Sequence, residues 1–253
     1  MTFNIQHGID GGERYRPQTA IDTIARVNPD LVALQEITRN HPSYNCDDQP
    51  AVIANGLSAQ TGKRWTAFYK DQWFTPDRSC QQSGRGDAAE TEGLAFLAAE
   101  SLGSPSFVAL WNGGLGLATR TASFADIPVV GTHLAAQASG ASDRMRQMSA
   151  LLPWVETLGV PRVLVGDFNA LAQAPELQST FATYSDAWAD AVRAGTARGR
   201  LDGVTHKSDR IDFIFYTPNP RLQLQWAETV DTVALVGREA SDHRPVVASF
   251  AVR

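Results

Sequence analysis

Apolar and polar positions change period several times along the chain, and each change predicts an element. Met1 to Gln6 reads as a short strand with Asn4 inside it, and Gly8, Gly11 and Gly12 loosen the following loop. Pro17 suits a first helical turn, and Ala20, Ile21, Ile24, Ala25 and Val27 then recur at helical spacing. Asn28-Pro29 ends that helix. Leu31 to Leu34 reads as a buried strand that delivers Gln35-Glu36 at its end. Asp48-Gln49-Pro50 opens a second helix with Val52, Ile53 and Leu57 on one side, and Gly62 closes it. Trp65 to Tyr69 is a strand, and residues 71 to 91 form a long polar connection, of a length that is usually functional or disordered.

Leu94 to Ala98, Phe107 to Leu110, Leu115 to Thr119 and Ile127 to Leu134 follow as strands. Ser142 can cap a helix with Met145, Met148, Leu151, Leu152 and Val155 on its apolar side, kinked at Pro153. Val163 to Val165 is a strand buried on both faces, and Ser185 to Ala194 a short helix. In the strand Arg210 to Tyr216, Ile211, Phe213 and Phe215 share one face, with Asp212, Ile214 and Tyr216 on the other. Leu222, Leu224 and Trp226 mark a half-solvated strand, and Pro245 to Val252 is the last. No internal repeat or linker divides the chain, so one domain over residues 1–253 is expected.

With 253 residues and 43% hydrophobic positions, the chain can bury one large core. No run of about 18 apolar residues exists, so no transmembrane segment is expected. The net charge of −5 argues against a broad basic surface for nonspecific nucleic-acid binding. Arg193, Arg198, Arg200, His206, Lys207 and Arg210 make a local basic concentration, read as either a solvated loop or a phosphate-facing patch. Cys46 and Cys80 lack metal-ligand spacing, and their loop-like surroundings favour a disulfide over two buried thiols. A disulfide implies an oxidising compartment, hence a secreted or periplasmic protein, with a cytoplasmic one as the alternative. The first residues already read as a strand, so an export leader would have to lie outside this sequence.

The chemistry collects at strand edges. After Val163-Leu164-Val165-Gly166 come Asp167 and Asn169, which point the same way if the chain stays extended. That is an active-site placement in open α/β folds, or else an Asx-type turn. Glu36 is either a ligand or a surface terminus, and its company with Asn4 and Asp167 favours the ligand. His133 taken alone reads as a structural histidine. Asp212, an acid inside an apolar strand, needs a partner, and His243 in Ser241-Asp242-His243 is the natural one. Oxygen donors such as Glu36, helped by Asn4 and Asp242, suit Mg²⁺ or Mn²⁺, whereas Zn²⁺ would prefer more His or Cys. An Asp–His pair with a second acid suits water activation and protonation of a leaving oxygen.

Six motifs occur in order: Thr2-Phe3-Asn4-Ile5, Leu34-Gln35-Glu36, Thr132-His133-Leu134, Gly166-Asp167-Phe168-Asn169, Arg210-Ile211-Asp212-Phe213-Ile214-Phe215 and Ser241-Asp242-His243. Each is weak alone; together they resemble the endonuclease/exonuclease/phosphatase superfamily, whose fold is that of deoxyribonuclease I. Asp48-Gln49-Pro50 and the run Arg144 to Gln147 look like its compact bacterial branch. The resemblance implies a four-layer α/β sandwich, two mixed β-sheets packed face to face with helices outside. It also implies metal-dependent phosphoester hydrolysis. Carried over, Glu36 is the main metal ligand with Asn4 nearby, and Asp242 lies near the metal. Asp167 orients or deprotonates the water, Asn169 helps hold the phosphate, and His133 and His243 contact its oxygens while Asp212 orients His243. The 71 to 91 connection with Cys80 departs from the shared pattern, which makes it a candidate for specificity.

Three readings compete. The first is a phosphodiesterase, most simply a nuclease, acting as a monomer on a phosphoester substrate with nucleic acid among the candidates. The second is a sphingomyelinase-like enzyme or small-molecule phosphomonoesterase, for which Trp73-Phe74 is a small membrane-contact candidate, though such a pair is more often packed core. The third is a binding module without catalysis; it should have lost one of Glu36, Asp167, Asp212 and His243, and all are present.

Overall fold

The structure is a computed structural model and describes residues 1–136 and 140–253. The chain opens with β1 (Thr2–Asn4), α1 (Pro17–Val27), β2 (Leu31–Arg39) and α2 (Gln49–Thr61). Pro17 starts α1, and Asn28 in the left-handed region stops it. The Asp48 side chain accepts the Ala51 N–H at the head of α2, and Gly62 at φ +69° ends it. Next come β3 (Thr66–Phe74), α3 (Ser79–Gln82), β4 (Thr91–Ala98), β5 (Gly103–Ala109), β6 (Leu115–Arg120) and β7 (Val129–His133). The expected 71 to 91 connection is therefore shorter, because β3 runs to Phe74 and α3 interrupts the rest.

The second half contains α4 (Ala141–Glu156), β8 (Val163–Asp167), α5 (Gln178–Phe181), β9 (Ser185–Asp186) and α6 (Ala187–Ala194). It ends with β10 (Ala197–Gly199), β11 (Asp212–Tyr216), β12 (Leu222–Thr229), α7 (Thr232–Val236) and β13 (Val246–Val252). Ser185-Asp186 is strand where helix was expected, because Asp186 caps α6 by accepting the Trp188 and Ala189 N–H groups.

Among the described residues these strands make two sheets, ordered β10-β12-β13-β1-β2-β4-β3 and β5-β6-β7-β8-β11-β9. Parallel pairs β1–β2 and β7–β8 lie among antiparallel ones, so both sheets are mixed. Three apolar layers separate four structural ones. Ala33, Phe96 and Val246 of the first sheet meet Leu117, Val165 and Ile214 of the second in the middle. Ile21 and Ile24 of α1, with Ile53 and Leu57 of α2, cover Phe3, Leu34 and Leu97 outside the first sheet. Met148, Leu151 and Val155 of α4 cover Leu164, Phe213 and Phe215 outside the second. The expected alternation in β11 holds: Phe213 and Phe215 face α4, Ile214 and Tyr216 face the other sheet.

Candidate active site

Strand register assembles the site. In the second sheet His133, Asp167 and Asp212 occupy one row: His133 pairs with Asp167 across β7–β8, and Asp167 pairs with Asp212 across β8–β11. All three are buried. Gly166 permits this close approach; a Cβ there would lie 2.0 Å from the Thr132 carbonyl oxygen, and its φ is +146°. Asp167 Oδ1 accepts the Asn169 N–H at 2.8 Å, so the Asx turn and the site placement coexist. Asn169 sits at φ +48° rather than in extended chain, and its Nδ2 donates to the Leu134 carbonyl at 3.0 Å.

The first sheet adds Asn4 and Glu36. Simple alternation would send Glu36 the way of Val32 and Leu34, toward the helices. A bulge between Leu34 and Ile37, with Glu36 at φ +51°, redirects it into the site. Glu36 is therefore not at the strand end, as expected, but inside β2. Asn4 Nδ2 lies 2.8 Å from Glu36 Oε1 and 3.1 Å from Asp167 Oδ2, while its Oδ1 accepts the Gln6 N–H. Ser241 Oγ donates to the Asn4 carbonyl and accepts the His243 N–H, tying the approach to β13 to β1.

Two histidines close on Asp167. His243 Nδ1 is 2.8 Å from Asp212 Oδ2, and its Nε2 is 3.8 Å from Asp167 Oδ2. His133 Nε2 stands 3.7 Å from Asp167 Oδ2 and 3.9 Å from Glu36 Oε1. Burial, then the Asp212 charge, push the Asp167 carboxyl up to about 6 against His243, His133 and the Asn169 N–H. Burial disfavours the His243 imidazolium, but the charge and hydrogen bond of Asp212, then Asp167 and Asp242, raise it to about 10. Burial pushes the Glu36 carboxyl up as well; His133, His7, the Asn4 hydrogen bond and His243 together leave it below its ordinary value.

Asp242 is more exposed and faces His206, whose Nε2 is 3.6 Å from Asp242 Oδ2. His206 stacks on His243 with ring centroids 4.4 Å apart. His7 and Glu92 also line the site without having been expected there, and His206, counted only among the basic residues, joins them. Glu92 carried a signal, since it shares parity with Leu94 and Phe96, which face the other sheet. Burial, then Glu36 and Glu90, raise the Glu92 carboxyl against His7 and His133. The basic segment is largely neutralised: Arg193 pairs with Asp190, Arg200 with Asp202 and Arg210 with Asp186, while Arg198 lies over the Trp226 ring.

The residues fit a divalent cation. Glu36, His133 and Asp167 each offer a ligand atom within 4.8 Å of the others. Both His133 ring nitrogens and His7 Nδ1 are buried without a hydrogen-bond partner among the described residues. Buried polar atoms in that condition call for a ligand or water. The carboxylate oxygens of this set suit Mg²⁺ or Mn²⁺.

Two mixed sheets packed face to face, with Asn4 and Glu36 on adjacent strands of one and His133, Asp167 and Asp212 on adjacent strands of the other, define the deoxyribonuclease I-like class. The chain belongs to the Endonuclease/Exonuclease/phosphatase family, whose model matches residues 1–243. It is similar to an endonuclease/exonuclease/phosphatase from Beutenbergia cavernae, at 23% identity and TM-score 0.73, over 99% of this chain and 70% of that one. The human Nocturnin catalytic domain with bound sulfate is 19% identical at TM-score 0.69, covering 99% and 92%. A mannosyl-6-phosphatase from Bacteroides thetaiotaomicron is 14% identical at TM-score 0.66, covering 98% and 97%. No curated protein matches the sequence.

Proposed function

We propose that the protein hydrolyses a phosphodiester, such as a nucleic-acid backbone, by attack of water with the help of Mg²⁺ or Mn²⁺. The observation that carries this reading is the convergence on Asp167 Oδ2 of Asn4 Nδ2 at 3.1 Å, His133 Nε2 at 3.7 Å and His243 Nε2 at 3.8 Å. A carboxyl raised to about 6 accepts a proton from water near neutral pH. His243, kept as imidazolium by Asp212, donates toward the leaving oxygen. His133 and Asn169 hold the non-bridging oxygens. Glu36 would hold the cation beside Asn4, and Asp242 stands with His206 and His243. When bound, the cation supplies positive charge for the phosphate oxygens and acidifies a water.

A second reading, a lipid-headgroup phosphodiester, draws on exposed aromatics. Trp73 and Phe74 are 40% and 63% exposed, so the pair is not packed core, and Phe107 and Trp111 are exposed too. Such rings suit a membrane surface. The likeness to a mannosyl-6-phosphatase supports testing a phosphomonoester. The Cys46–Cys80 disulfide supports a secreted or periplasmic setting. No helix of the described residues is long and apolar enough to cross a membrane.

The test is purified protein with Mg²⁺, Mn²⁺ or EDTA against plasmid DNA, RNA, bis-p-nitrophenyl phosphate, p-nitrophenyl phosphate and sphingomyelin. Metal-dependent cleavage of nucleic acid and bis-p-nitrophenyl phosphate, abolished by EDTA, is expected. Preference for sphingomyelin selects the second reading. Inertness toward every phosphoester with both metals would overturn the proposal.

A further inference from the structure

The chain does something unusual just after β1. Gln6 and His7 both adopt positive φ, 45° and 56°, and Glu36 faces them at 51°. Non-glycine residues held there cost of order 1–3 kcal/mol each, and such strain persists where surrounding structure enforces it. The effect here is to aim His7 at Glu36, with His7 Nε2 3.5 Å from Glu36 Oε2. That separation is too long for a hydrogen bond. It is close to the spacing of two neighbouring ligands on one octahedral ion, which stand about 3 Å apart when each bond is about 2.1 Å.

The imidazole is also fixed in plane and in depth. Its ring stacks on Tyr44, centroids 5.3 Å apart and 14° from parallel, and Tyr44 stacks in turn on His41. The His7 carbonyl accepts Gln49 Nε2 at 2.7 Å, and the buried Gln49 accepts the Thr38 N–H from β2. The Tyr44 loop is anchored by the Cys46–Cys80 disulfide. On the far edge of the ring, Nδ1 is buried without a hydrogen-bond partner and lies 3.9 Å from Glu92 Oε2. A metal-bound histidine commonly turns its second ring nitrogen to a carboxylate, which fixes the tautomer and strengthens the donor.

We propose that His7 Nε2 is a ligand of the same divalent cation as Glu36, with the negative charge of Glu92 facing Nδ1 and favouring its proton there, and that this site prefers Mn²⁺ to Mg²⁺. This rests on the cation-assisted reading above. Imidazole favours first-row transition ions over Mg²⁺, which prefers oxygen and retained waters. With Nδ1 turned toward Glu92, Nε2 is the ring nitrogen facing Glu36.

Mn²⁺ binding read by electron paramagnetic resonance tests the assignment without any substrate. Loss of the free-ion signal gives affinity, and pulsed measurement detects ¹⁴N bound to the ion. His7→Asn is the first variant, since Asn tolerates positive φ. It should weaken Mn²⁺ on the order of 10–100-fold, change Mg²⁺ affinity by competition much less, and remove a ¹⁴N coupling. Glu92→Gln leaves the strained backbone untouched and should weaken Mn²⁺ in the same direction. Circular dichroism of the metal-free variants checks folding. Wild-type affinity and unchanged ¹⁴N signals in both folded variants, with binding lost in Glu36→Gln, would overturn the His7 assignment alone. Wild-type binding in Glu36→Gln as well would remove the cation reading of this pocket.

Discussion

His243 Nδ1 and Asp212 Oδ2 are 2.8 Å apart, both buried, with Asp167 directly across the sheet from Asp212. Two carboxylates paired across strands repel each other, and the imidazole between them offsets that repulsion from both its nitrogens. Asp212→Asn keeps the shape and removes the charge that holds the His243 tautomer. A kcat loss on the order of 10²-fold or more is expected by analogy with other Asp–His pairs. Asp212→Asn combined with His243→Ala should be scarcely worse than His243→Ala alone, since the pair acts as a unit. Steady-state kinetics of the three variants checks this, and multiplicative losses would separate the two residues.

The same pair sets a pH dependence. His243 is raised from 6.5 to about 10 in the fold. Below pH 6.5 the imidazole is protonated in folded and unfolded chains alike, and its contribution to stability is complete. That contribution is lost as pH rises through about 10. Metal-free wild type should therefore exceed Asp212→Asn in denaturation midpoint most at pH 6, with the gap narrowing toward pH 10. Proton NMR should follow the His243 imidazolium past pH 8 in wild type and see it titrate earlier in Asp212→Asn.

Gly166→Ala is expected to be severe. The added Cβ would meet the Thr132 carbonyl oxygen at 2.0 Å, in a backbone region unsuited to alanine. The strained backbone alone costs about 1–3 kcal/mol, and the overlap adds to it by parting β7 from β8. Thermal denaturation should register the loss, with activity falling beyond what the unfolded fraction explains, because His133 and Asp167 separate.

Cys46 and Cys80 close a loop with sequence separation 34. Replacing both by Ser should cost about 3–4 kcal/mol in the chain-entropy model. The altered midpoint should appear under non-reducing conditions and match that of reduced wild type.

The alternation of strand and helix periods made most elements readable, down to the two faces of β11. Glu36 was readable as chemistry but not as geometry. Its parity with Val32 and Leu34 points away from the site, and a bulge decided at the level of sheet pairing turns it back. His7 left no periodic trace, because its aim comes from consecutive positive φ values and a stack on Tyr44. The basic residues from Arg193 to Arg210 could be counted but not paired. Asp190 and Asp202 are near in sequence, whereas Asp186 reaches Arg210 only through the β9–β11 contact.

Asn4 spans the gap between the sheets, with one amide nitrogen bonded to Glu36 on one side and Asp167 on the other. It therefore acts as a gauge block: the spacing of cation site and proton acceptor is set by how far apart the two sheets stand. Substitutions deep in the middle layer, at Ala33 or Phe96 for instance, can swell or shear that spacing without touching a reacting group. Drift of the central core would then be felt as lost turnover well before it is felt as lost structure.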